Sequence, residues 1–252
     1  LIFAALVAGL TAATVGMVRA QRAERLANAQ VEMMIGRFDS LDPMDDTLDT
    51  GGRAGRQGTA EEILAAARER IDSELAGEPL VRAQLKATIG RIYMNLGLHE
   101  QALSAWQEAH QIRLDELGPD HLDVLKSTLS LGTIHDVMGN YEAALRHFRR
   151  AAEMRLQIQG PDHPDMAESL NSLAFGLWRN GNYDEAAPHF ERALAIRREV
   201  FGPDHALVGD TLYMQAVLLR EAGEYDRARA GFERALEIRE AVYGPDHTAV
   251  AW

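Results

Sequence analysis

GPDH stands at 118–121 and returns at 160–163, 202–205 and 244–247. The leading residues, Gly118, Gly160, Gly202 and Gly244, are 42 residues apart, and a second series, Gly97, Gly139, Gly181 and Gly223, keeps the same interval. A tetrapeptide with a glycine, a carboxylate and an imidazole can be a chemical site. It can also be a turn that the chain needs at every step. Self-similarity at a fixed period marks a repeat architecture and takes precedence over local readings.

Each unit divides into two helical stretches. PDMAESLNSLAFGLWRN (164–180) runs up to Gly181, and YDEAAPHFERALAIRREVF (183–201) runs up to Gly202. In the second stretch Ala186, Phe190, Ala193 and Leu194 share one face of an α-helix. Read across the units, Trp106, Phe148, Phe190 and Phe232 make an aromatic column, and Ala109, Ala151, Ala193 and Ala235 make a small one. Gly90, Gly132, Ala174 and Ala216 form a small column in the first helices. Large beside small predicts interlocking helix pairs with these columns as core. Pro188, inside a second helix, is expected to remove one backbone hydrogen bond and bend that helix.

GPDH then reads as a turn. Glycine allows the left-handed backbone that ends a helix. Proline forbids continuation. Asp and His are short polar residues suited to start the next helix. Replacing all four histidines by alanine is expected to leave the fold intact.

GNYEAALRHFRRA (139–151), GNYDEAAPHFERAL (181–194) and GEYDRARAGFERAL (223–236), each followed by GPDH, resemble tetratricopeptide repeats of the 42-residue kind found in kinesin light chains. The resemblance covers 76–252 and implies an all-α fold, a right-handed α-solenoid of helix-turn-helix repeats. The units are 76–117, 118–159, 160–201, 202–243 and a partial one, 244–252. The first is atypical, with AGEP at 76–79 and His99 where Tyr141, Tyr183 and Tyr225 stand later, as a terminal repeat often is. Before it, 59–75 reads as a capping helix opened by Thr59 and Glu62 as a capping box.

The N-terminal segment is different. LIFAALVAGLTAATVGMV (1–18) carries no charge and is close to the minimum length of a membrane span. It reads as a truncated transmembrane helix, with a signal peptide or a buried helix as alternatives. Residues 19–58 read as a juxtamembrane helix and linker, the acidic cluster Asp42, Asp45, Asp46 and Asp49 lacking calcium-loop spacing. A span, a basic helix, a linker and then repeats resemble the C-terminal half of bacterial membrane-anchored serine/threonine kinases. That resemblance implies a kinase domain upstream and repeats outside the cytoplasm, in the periplasm. No kinase motif lies within the chain itself. The chain begins at Leu1 and not at Met, and reads as a fragment of a longer protein.

The formal net charge of −12 argues against nucleic acid as a partner. There is no cysteine, hence no disulfide framework and no thiolate metal site. His121, His163, His205 and His247 sit one per unit, on the order of 10 Å or more apart, too far to share a metal. No cofactor is expected, and no catalytic residue. Arg113, Arg155, Arg197 and Arg239 form a column near the end of each second helix, read as helix-end placement with pairing to nearby acids in preference to an anion-binding stripe.

The expected function is binding of a protein or peptide along the first helices. The family resemblance places Asn171, in SLNSLAFGLW, against a partner's backbone. Trp178, Arg179, His135 and Tyr213 are further first-helix candidates for that groove.

Overall fold

The computed structural model describes residues 53–244, with side chains from 61 onward. The span read over 1–18, the juxtamembrane helix and the partial repeat after Gly244 lie outside the described residues. Among the described residues every regular element is an α-helix. In chain order these are α1 (Arg53–Glu74), α2 (Pro79–Asn95), α3 (His99–Leu117), α4 (Leu122–Val137), α5 (Tyr141–Gln159), α6 (Met166–Arg179), α7 (Tyr183–Phe201), α8 (Ala206–Glu221) and α9 (Tyr225–Tyr243). They belong to two compact units that divide between Glu116 and Leu117. No described helix is long and apolar enough to cross a membrane.

One expectation needs correction. α1 begins at Arg53, so residues 53–58 are helix and not linker, and Thr59 lies inside the helix and not at its start. Gly55 and Gly58 argued for a loop, yet interior glycines cost only about 1 kcal/mol each and do not forbid a helix.

In the unit of α4–α9 the columns pack as their sizes require. Phe148 and Phe190 are buried, as are Ala151, Ala193 and Ala235. A Cβ at Gly132 would stand 2.6 Å from the Phe148 ring, so only glycine lets α4 lie this close to α5. The other side of the same ring meets α6, where a Cβ at Gly176 would stand 2.8 Å away. Phe148 therefore joins its own pair to the next one. Phe190 does the same with Leu218 of α8, in a cluster with Leu177, Ala186 and Ala193. Phe232 is the exception: it is only half-buried. In the unit of α1–α3, Trp106 and Ala109 are buried, and the Trp106 indole N–H donates to the Ala87 carbonyl at 2.9 Å. Pro188 does not interrupt α7.

Each part of GPDH has a separate task. Gly160 and Gly202 adopt φ of 87° and 85°, and Gly118 and Gly244 share that region. The aspartate reaches forward to the second helix of the pair that follows: Asp162 binds Arg192, Asp204 binds Arg234, and Asp120 lies 4.0 Å from Arg150. The histidine caps the following helix at His121 and His205, and at His163 it holds the turn just before α6. The backbone N–H groups of Asp123, Asp165 and Leu207 donate to Nδ1 of His121, His163 and His205 at 3.1–3.2 Å. Substitution by alanine removes these bonds, so an intact fold is still expected, with a stability lower by about 1 kcal/mol per cap.

The arginine column pairs with nearby acids at Arg155 and Arg239, as expected, and also bonds neutral groups. Arg155 is buried on α5 and bonds Ser169 (3.2 Å), Asp165 (3.3 Å) and Glu168 (3.0 Å) at the start of α6. Arg197 holds the Leu207 carbonyl (3.0 Å) and the Thr211 hydroxyl of α8 in the same way. Arg239 bonds Asp210, and Arg113 bonds Gln84. These guanidiniums fasten neighbouring helices and are spent in doing so.

Candidate binding surface

The first helices α4, α6 and α8 use one face for their own second helices, through Gly132, Gly209 and Ala216. A different face of each carries a stripe at i, i+4, i+7 and i+11. On α4 it is Lys126, Ser130, Thr133 and Val137; on α6 Glu168, Ser172, Phe175 and Arg179; on α8 Asp210, Met214, Val217 and Glu221. All are at least partly exposed except Val217, which is 7% exposed. Three helices with one register bring three stripes side by side. Repetition at 42 residues and helical spacing were enough to find them, but sequence reading weighed isolated residues and passed over Ser130, Thr133, Ser172, Phe175 and Met214.

The predicted site residues are not gathered into one cluster. Arg179 is the most constrained. Its Nε donates to Asp136 Oδ1 and its Nη2 to the Tyr141 hydroxyl, both at 2.8 Å, and its guanidinium lies 4.1 Å from the Tyr141 ring centre. It ties α6 to the preceding pair while its side chain stays 31% exposed. Trp178 is half-buried and packs against Phe175, ring centres 5.5 Å apart. Tyr213 meets Phe232 edge-on at 5.5 Å and lies under Arg239 at 5.0 Å.

Asn171 is half-buried, and its Oδ1 is turned into the packing with no hydrogen-bond partner among the described residues. A buried acceptor left unbonded is unfavourable by roughly 1–3 kcal/mol, so its place is not explained by stability. His135 stacks on His147 of α5, ring centres 5.4 Å apart and planes within 8°. Its Nδ1 is buried without a hydrogen-bond partner among the described residues. Burial, helped by the Arg146 charge, holds His135 below the usual imidazole range. Two other histidines move the same way through burial: His110, with help from Arg113, and His189, where Glu185 opposes and Arg149 adds.

A second concavity, about 540 Å³, opens at α8 and α9 between Tyr213, Tyr225, Phe232, Leu236 and Arg239. Its columns are those that Leu145 and Phe148 present to α6 and Phe190 presents to α8. It is a stacking face of the helix pair. Among the described residues no group of three or more His, Asp or Glu is placed to hold a metal.

Comparison with known proteins agrees with this geometry. The model of the tetratricopeptide repeat family matches residues 81–157, 128–176, 165–239 and 211–252. Among solved structures, BtubC (BKLC) from P. vanneervenii superposes with a TM-score of 0.63 at 22% identity, covering 76% of each chain. A putative kinesin light chain of Podosopora anserina, with nearly identical TPR-like repeats, superposes with a TM-score of 0.61 at 19% identity. That match covers 74% of this chain and 89% of the other. At these identities the likeness is one of fold. No curated protein matches the chain by sequence.

Proposed function

The chain belongs to the tetratricopeptide repeat family, and from that premise we propose that it is an interaction module taking a protein or peptide partner along α4, α6 and α8. The family's all-helical repeat fold is typically a non-enzymatic scaffold for protein–protein contact. The observation that carries the reading is the alignment of three part-exposed first-helix stripes with no partner helix in front of them among the described residues. Phe175 supplies an apolar centre, Ser130 and Ser172 supply hydroxyls, and Asn171, Trp178, Arg179, His135 and Tyr213 form the flanks.

The test is a peptide array probed with the protein and with Asn171→Ala/Tyr213→Ala. Array peptides that bind should lose about tenfold or more in affinity with the double variant, as expected when contact residues are removed. Unchanged affinity in a variant of unchanged helical content would reject this surface.

We further propose that residues 1–18 anchor the module in a membrane as a single pass. The whole would be the extracytoplasmic, periplasmic end of a bacterial serine/threonine kinase. What supports this is the order of hydrophobic segment, arginines, linker and repeats in the sequence. The reading frame upstream of Leu1 decides it. Kinase motifs some tens of residues before the span are the expected result. Their absence leaves a stand-alone membrane-anchored or secreted scaffold.

A further inference from the structure

The charged residues of the three stripes are all compensated from within the chain. Lys126 bonds Asp123 at 3.1 Å, and Glu168 shares buried Arg155 (3.0 Å) with Asp165 (3.3 Å) and also feels the Arg197 charge. Asp210 is held by Arg239 at 3.0 Å. Arg179 bonds Asp136 at 2.8 Å, and Glu221 bonds Arg220 at 2.8 Å. Both signs occur on each outer row, and each charge has its opposite within one ion-pair distance. Pairs of this kind have short-ranged fields, and salt in solution weakens them further. The surface therefore projects no field of one sign, although the whole chain carries −12.

What remains to recognise a partner is uncharged. The middle rows hold the hydroxyls of Ser130, Ser172 and Thr133. They also hold the half-buried apolar groups of Phe175 and Met214. Thr133 and Ser130 already donate to backbone carbonyls of their own helix, at 3.1 and 3.2 Å, which leaves their oxygens as acceptors for an incoming N–H. Phe175 stands against Trp178 at the centre, a half-buried ring with an exposed side.

Resting on the reading of this surface as the binding site, we infer that its partner is an uncharged extended segment with one large apolar anchor. The anchor sits on Phe175 and Met214, and the segment's backbone N–H groups meet the serine and threonine oxygens. An acidic or a basic segment would have to break an internal pair to gain one, with no net gain in ion pairing.

Three pools of short peptides test this by fluorescence anisotropy: a neutral pool rich in Ser, Asn, Gly and single Leu or Phe residues, an Asp/Glu-rich pool and a Lys/Arg-rich pool. The neutral pool is expected to bind. Its affinity should change by less than about twofold between about 50 and about 500 mM NaCl, because no screened charge contributes. Phe175→Ala should weaken it about tenfold or more. Binding of only a charged pool, lost with Phe175→Ala and weakened strongly by salt, would overturn this inference and keep the site. Binding of no pool, or binding indifferent to both Phe175→Ala and Asn171→Ala/Tyr213→Ala, would overturn the site as well.

Discussion

α1 on α2 and α5 on α6 are contacts of the same kind, a second-type helix lying on the first helix of the next pair, and they are built from different chemistry. α1 stands 42 residues before α3, so Leu64 falls in the column of Trp106 and Ile71 in the column of Arg113. Those two are the buried apolar residues that α1 contributes among its described side chains. The rest is charge. Lys86, its side chain 3% exposed, sits between Asp72 (2.7 Å) and Glu108 (2.5 Å). Arg68 binds Glu108 and Ser104, and Gln101 donates to Glu61. At α5 and α6 the main contact is a ring against a glycine, with one buried arginine across the turn. Position in the repeat fixes that a helix is covered there. It does not fix whether shape or charge does the covering.

The largest expected effect breaks the shape side. Phe190→Ala should cost about 3–5 kcal/mol in urea unfolding, since the ring is fully buried and joins two pairs. Phe232→Ala should cost clearly less, because that ring is half-buried. Equal losses would mean that the stacking of pairs is not what buries the column. On the charge side, Glu108→Gln leaves Lys86 with Asp72 alone and should cost about 1–3 kcal/mol. Lys86→Met should cost little, because Glu108 keeps Arg68 and the half-exposed Asp72 keeps its water. A large loss from Lys86→Met would show that the ion network itself stabilises α1.

Smaller effects concern the turns. His121→Ala should cost about 1 kcal/mol, and His121→Asn should restore most of it, since asparagine also caps. A silent alanine would mean that the Nδ1 contact contributes nothing. Smaller again is a pH effect. His110, His135 and His189 are held below the ordinary range, so the fold favours their neutral forms. An unfolded histidine takes its proton near pH 6.5. Stability from these three is thus fully present above that value and is lost as pH falls below it. Urea midpoints measured across this range should decline toward acid, and less so in a His135→Phe variant.

The repeat frame was legible because glycine at positive φ leaves its mark at a fixed interval, and the core because large and small residues alternate in columns. The limits of α1 were not legible. Gly55 and Gly58 look like a loop, and tertiary contact can override local preference. The role of the arginines was only half legible, because Arg155 and Arg197 bond residues 10–14 positions on, beyond a turn. The candidate surface was legible as a set of helices and not as a set of residues. Asn171 was singled out for its place in a motif, while the structure turns its Oδ1 inward. Phe175 was passed over because one aromatic on a first helix looks like core until its exposed side is seen.

The central claim is that this protein works through the first-helix stripes and that GPDH serves the turns. One titration tests it most directly: a binding peptide from the array against Phe175→Ala and His163→Asn in parallel. The account predicts about tenfold or greater weakening with Phe175→Ala and no change with His163→Asn. The reverse pattern, in two variants of unchanged helical content, would contradict it and return GPDH to the list of sites.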